Sequence, residues 1–199
     1  MTDTFGREPM PDIDIDFADR SVILSKIQHR VAKLDTGKKH NTGVYVTECP
    51  HNPIDNLSTI DYKTAEDRGY FKLDFLNVNI YNNIKDEDHL TTLMNKEPEW
   101  SLLQHDDFTN LIFHISGHGE ILRKTKPQSV EQLAAVLAMI RPAKRHLVNE
   151  TWTTILESVW VAPTDGSYFF KKAHAVSYAA ACVVHMNLVC EQLNEQASA

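Results

Sequence analysis

Between Pro11 and Phe17 the chain alternates strictly between acidic and apolar residues, Asp12-Ile13-Asp14-Ile15-Asp16-Phe17. A period of two predicts a strand, with Ile13, Ile15 and Phe17 turned to a core and the three aspartates on the opposite face. From Ser21 to Leu34 the period lengthens. Val22, Leu24, Ile27, Val31 and Leu34 recur at near-helical spacing, which predicts a helix capped by Asp19 or Ser21 and ended by Thr36-Gly37. The β-branched and aromatic run Gly43-Val44-Tyr45-Val46-Thr47 predicts a strand. Residues 48–61, with two prolines and several Asn and Asp, predict a loop. Tyr70–Leu76 predicts a second core strand, and beyond Asn77 the pattern is mostly helical. Its clearest helices are Gln128–Ile140, with Ser129 and Gln132 at capping-box spacing and Pro142 just past the end, and Lys172–Leu193. Strands in the first 76 residues and helices after them predict an α+β fold. An α+β region at 1–85 and a helical region at 86–199 are expected to form one compact unit.

Composition narrows the function classes. The 199 residues are 42% hydrophobic and 24% charged, ordinary for a globular chain of one domain. A net charge of −7 argues against a strongly basic nucleic-acid scavenger. It leaves room for a local basic channel, for which Arg123-Lys124-Thr125-Lys126 and the group Arg141, Lys144, Arg145, His146 are candidates; a solvated helix end is the plainer account of each. No apolar run approaches the roughly 18–20 residues of a membrane span. The first residues show no basic-then-apolar export pattern. Cys49, Cys182 and Cys190 have no metal-ligand spacing, and Cys182 and Cys190 read as packing residues on one helical face. A cytoplasmic location without a membrane follows as the expectation.

The acidic strand carries the most chemistry. Aspartate is depleted in strands. Three on one face, spaced about 7 Å apart, repel one another unless something positive covers them. A divalent cation does so most simply: Mg²⁺ takes a few carboxylates and leaves its other positions to water and phosphate oxygens. The plain alternative is an exposed edge strand with solvated acids. On Tyr70–Leu76, Lys72 and Asp74 share one face, with Phe71, Leu73 and Phe75 on the other. Asp74 can add a ligand and Lys72 can meet a phosphate, or the two can be an ordinary ion pair. His114 and His118, four apart with Glu120 nearby, make a poor zinc site because Gly117 and Gly119 oppose a sustained helix.

Six segments in order resemble the bacterial replicative DNA polymerase III alpha subunit, family C. Met10-Pro11-Asp12-Ile13-Asp14-Ile15-Asp16-Phe17 is similar to that family's catalytic palm motif. His40-Asn41-Thr42-Gly43-Val44-Tyr45-Val46 resembles its His-Ala-x-Gly-Val strand, and Gly69-Tyr70-Phe71-Lys72-Leu73-Asp74-Phe75-Leu76 its Gly-Leu-Val-Lys-Phe-Asp-Phe-Leu segment. Phe113–Gly119 is similar to its Phe-Gln-Leu-Glu-Ser-x-Gly run, Leu133–Pro142 to its Ala-Leu-Tyr-Arg-Pro stretch, and Lys171–Ala179 to its Asn-Lys-Ser-His-Ala-x-x-Tyr-Ala helix start.

The resemblance implies a reduced polymerase-beta-like palm with Asp14, Asp16 and Asp74 as catalytic acids holding Mg²⁺, two ions at most. Lys72, Arg141 and His174 would contact the nucleotide or its phosphates; for His174 a core or helix-end role is the alternative. The implied reaction is attack of a primer 3′-hydroxyl on the α-phosphate of a deoxynucleoside triphosphate, with DNA and replication proteins as partners. The family's amino-terminal hydrolase-like domain, its Gly-Ser palm segment, its long fingers insertion and its carboxy-terminal extensions have no counterpart in these 199 residues. A compact derivative is therefore expected, of the kind a phage genome carries. The second expectation is a catalytically inactive polymerase-like module that binds DNA or replication proteins.

Overall fold

The computed structural model describes residues 13–164 and 169–198. It is an α+β protein that divides into two compact units, residues 1–83 and 84–199.

The first unit holds a five-stranded mixed sheet in the order β1-β5-β3-β2-β4. Its strands are β1 (Ile13–Phe17), β2 (Arg30–Lys33), β3 (Lys39–Tyr45), β4 (Leu57–Asp61) and β5 (Leu73–Asn77). β1 runs parallel to β5, β3 antiparallel to both β5 and β2, and β4 parallel to β2. The expected acidic strand is present from Ile13, while Pro11 and Asp12 lie outside the described residues. Its apolar face is only partly covered, because β1 is an edge: Ile13 is 38% exposed and Phe17 packs on Phe75 at 5.0 Å between ring centroids.

Three expectations are corrected in this unit. The helix expected over 21–34 stops early: α1 spans Arg20–Leu24, capped by the Asp19 carboxylate accepting from the Ser21 amide. Arg30–Lys33 is instead a strand, and Thr36-Gly37 is the turn of a β2–β3 hairpin rather than a helix end. Gly37 has φ of 82°, a left-handed value that glycine adopts freely, and the Leu34 amide donates across the turn to the Lys38 carbonyl at 2.7 Å. Pairing with β3 and β4 buries Val31 and Ala32, which outweighs the local helical spacing. The loop expected over 48–61 likewise ends in strand β4. Asp61 closes that strand and caps α2 (Tyr62–Asp67), accepting from the Lys63 and Thr64 amides. The strand expected from Tyr70 begins only at Leu73.

The second unit is helical: α3 (Glu87–Asn95), α4 (Asp106–Thr109), α5 (Gly119–Thr125), α6 (Val130–Met139), α7 (Trp152–Ser158) and α8 (Lys172–Ala197), with 3-10 turns at Trp100–Gln104 and Pro142–Asn149. α6 starts as expected. Ser129 Oγ accepts from the Gln132 amide at 3.2 Å, and Gln132 Oε1 accepts from the Gln128 amide at 2.7 Å. Leu133 to Met139 are all buried, so α6 is the centre of the core, packed on the inner face of α8 through Ala175, Ala179, Cys182, Val183 and Met186. α8 extends four residues past the expected Leu193. Contrary to the sequence expectation, it is long and apolar enough to cross a membrane by length and composition, with a mean hydropathy of 1.4 over its best window, yet 56% of that window is buried within the protein. Burial in the core accounts for its apolar character. Cys182 donates to the Phe113 carbonyl at 3.0 Å, and burial pushes its thiol up to about 12. Its role is packing, as its helical setting predicts.

Candidate functional site

Sheet register assembles the acids. In the parallel β1–β5 pair, Asp14 is the direct partner of Asp74 and Asp16 the partner of Leu76. Register partners in a sheet project to the same face about 4.8 Å apart, so Asp14, Asp16, Lys72 and Asp74 all lie on one side. β3 completes the face from the other flank of β5, with Gly43 opposite Asp74. The three expected acids and the expected lysine are thus brought onto one surface of three adjacent strands.

Asp74 is the anchor. It is 9% exposed, and both carboxylate oxygens are engaged: Oδ1 accepts from the Thr42 hydroxyl at 2.7 Å and Oδ2 is paired with the Lys72 ammonium. Gly43 is required here by close approach. A Cβ at that position would lie 2.8 Å from Lys72 Cδ and 3.0 Å from His40 Nδ1, so a side chain would displace the lysine stem. His40 Nδ1 accepts from the Gly43 amide at 2.9 Å and the Thr42 amide at 3.2 Å. Because Nδ1 is thereby an acceptor, its 3.8 Å approach to Asp74 is not a charge pair. Burial holds the His40 pKa below its ordinary value, against the opposing pull of Asp74 and with help from Lys72 and Arg20.

A bulge makes this arrangement possible. From Val31 to Lys33 β2 advances two residues, while its partners on β3 run from Val44 back to Lys39, five residues. The surplus lets His40 fold back onto its own strand and re-aims Thr42 at Asp74. Arg20 ties β5 to β3: its guanidinium donates to the Phe75 carbonyl at 3.0 Å and to the Asn41 carbonyl, and its amide donates to Asn77 Oδ1 at 2.8 Å.

Asp14 and Asp16 are more exposed than Asp74. The Asp16 carboxyl is pushed above the usual aspartate range, first by burial and then by repulsion from Asp14, while a hydrogen bond from the Tyr81 hydroxyl acts the other way. Among the described residues no three His, Cys, Asp or Glu side chains converge closely enough to share an ion. The Lys72 ammonium already occupies the flank of Asp74 where a cation would sit.

The remaining two expected residues lie in the helical unit and come together there. Arg141 stands with its guanidinium carbon 5.4 Å from the centroid of the Phe170 ring, and the His174 ring is parallel to Phe170 within 2° at 6.4 Å. Tyr178 packs on Phe170, Phe113 and His114, so the Phe113–Gly119, Arg141-Pro142 and Lys171–Ala179 segments form one aromatic cluster. His114 holds a left-handed φ of 63°, unusual for a residue with a side chain. Lys144 does not belong to a basic surface: it is buried and donates to the Ser158 and Val161 carbonyls at 2.9 and 2.6 Å.

Sequence reasoning assigned no role to Thr42, His40, Gly43, Arg20 or Tyr81. A histidine, a hydroxyl and a glycine within four residues before a strand core was the available signal for the bulge. Nothing local announced Arg20 or Tyr81. Compared with known proteins, the chain matches no family model, no curated protein and no solved structure.

Proposed function

We propose that the acidic face of the sheet carries out divalent-metal-dependent nucleotidyl transfer, extending a DNA primer from deoxynucleoside triphosphates, in a reduced polymerase III alpha-like palm. The observation that carries this reading is the β1–β5 register, which sets Asp14 beside Asp74 with Asp16 and Lys72 on the same face. The donor set suits a hard ion: carboxylates only, with Asp16 raised first by burial and then by its neighbour's charge. Asp14, Asp16 and Asp74 would hold Mg²⁺ once their carboxylates draw together and the Lys72 ammonium swings off Asp74. Bound there, the ion would supply charge stabilisation for an in-line displacement at phosphorus.

The chain's own residues do the positioning. Thr42 fixes the Asp74 carboxylate through Oδ1. Lys72 has a short route from Asp74 to a phosphate oxygen, exchanging one anion for another as a point charge. Tyr81 donates to Asp16 and limits its swing. In this reading Arg141 and His174, gathered around Phe170, would contact phosphate within the helical unit, and the cytoplasm is the place of work.

The contact of Lys72 with Asp74 favours a second reading, an inactive module of the same ancestry that docks on DNA or replication proteins. Primer extension with wild type and Asp14→Asn/Asp16→Asn decides between them. Incorporation by wild type alone supports the enzyme. Equal incorporation by both, or none by either, sinks it; a stable replication-protein complex with no calorimetric Mg²⁺ binding selects the docking module.

A further inference from the structure

The helical unit contains a cleft that the acidic face does not account for. The sequence's two basic clusters, separate along the chain, each contribute to it: Lys124 from α5 and Arg145 from the Pro142–Asn149 turn line one chamber of about 470 Å³, together with His118 and Asn149. A second recess of about 380 Å³ shares Lys124, Val148 and Asn149 with the first and is walled by Trp152 and Ile155. The two recesses are thus neighbours, with Lys124, Val148 and Asn149 common to both. Each falls in the range of small-ligand sites, roughly 300–1,000 Å³.

We propose that this cleft binds an aromatic phosphate ester, a nucleotide in the simplest case, with its phosphate between Lys124 and Arg145 and its ring in the recess beside Trp152.

Charge and shape support the two halves separately. Arg145 and Lys124 are both exposed at the chamber, and Arg145 spends only one guanidinium nitrogen on a protein carbonyl, Nη2 to Ile140 at 3.1 Å. Its planar fork retains donors for a phosphate. Lys124 is tied to Glu120 at 2.9 Å, a pair with half or more of each side chain in solvent. Such pairs contribute little, so a phosphate competes for the lysine at small cost. His118 stays neutral beside Arg141 and Arg145, with burial as the leading cause, so it offers a hydrogen bond without adding charge. Glu150 lines the recess and not the Arg145 chamber, which favours an uncharged ring over a second phosphate there. The indole of Trp152 supplies the flat apolar wall that a base or other aromatic ring uses.

The site is independent of metal and of the acidic face, and the test separates them. AMP, adenosine and pyrophosphate are titrated calorimetrically into the full chain at low salt with EDTA. AMP is expected to bind, adenosine not. Lys124→Gln and Arg145→Gln should each weaken AMP at least tenfold, and Trp152→Leu should weaken AMP while sparing pyrophosphate. Lys124 is exposed, so its variant keeps the fold and carries the test even where Arg145→Gln does not. Adenosine binding as tightly as AMP, AMP binding untouched by Lys124→Gln, or no AMP binding at all overturns the proposal. Asp14→Asn/Asp16→Asn should leave AMP binding intact, so failure here and failure of primer extension are distinguishable.

Discussion

α6 in the helical unit buries seven consecutive residues, Leu133–Met139, whereas the edge strand β1 in the sheet unit buries none of its five. Nothing but packing explains α6. The segment carries no ionisable side chain at all between Leu133 and Met139. β1 is the reverse case. Its apolar residues are half-covered, its acids face one another's charge, and packing gives no reason for them. A chain that keeps like charges together on an exposed strand, while another unit supplies a dry core, separates what holds it folded from what it does. The same separation recurs within single side chains. Lys144 is buried and satisfied by two carbonyls, while its neighbour Arg145 is exposed and faces a cleft.

The sharpest way to break this comparison is to cut both regions. Leu133→Ala should cost about 2–5 kcal/mol, because it removes buried methyl groups from a core with little freedom to collapse. Asp14→Asn should stay within about 0.5 kcal/mol, as exposed substitutions do. Urea denaturation of the two variants measures both, and similar losses would mean that β1 is structural after all. Next in size is Lys144→Ala. It takes the ammonium away from the part-buried Ser158 and Val161 carbonyls and should cost about 1 kcal/mol; Arg145→Gln, one residue on, should be nearly neutral. Gly43→Val tests the acidic face from behind. Its side chain would meet Lys72, His40 and Ala32, with an expected penalty of about 1–3 kcal/mol from overpacking. It should also part Asp74 from Lys72, read as changed chemical shifts of both side chains by NMR.

How far the sequence could be read follows the same division. α6 and α8 were legible because each signals its own ends and buries a continuous apolar face, so local pattern and tertiary packing agree. β2 was not. Val31 and Leu34 fit a helix's spacing as well as a strand's, and what decides is pairing with Tyr45 and Leu57, residues the local window does not contain. β4 was hidden for the same reason, its Asn56 turn at φ 56° reading as plain loop. The acids of the candidate site were legible because Asp14-Ile15-Asp16 breaks strand propensity openly. Their neighbours were not: Thr42 reaches Asp74 only because β3 carries a bulge, and Arg20 acts through backbone carbonyls on two other strands.

The smallest effect is the one that ties stability to chemistry. The Asp16 carboxyl titrates above the ordinary aspartate value in the folded chain because burial, and then Asp14, disfavour its charge. Between its unfolded value and that raised value the native state holds more proton than the unfolded one, so stability falls as pH rises through this window and stays lower above it. At neutral pH the ionised Asp16 is a net cost. Asp16→Asn should therefore be slightly more stable than wild type near neutrality, by no more than about 0.5 kcal/mol, and the difference should vanish below the unfolded aspartate value. Mg²⁺ reverses the order in the nucleotidyl-transfer reading, because an ion bound to the acids stabilises wild type by mass action and gains less from the variant. Thermal unfolding of both proteins on each side of the window, with and without Mg²⁺, checks the sign. A wild type that gains nothing from Mg²⁺ relative to Asp16→Asn would leave β1 as an edge strand whose charges only keep it from pairing with another chain.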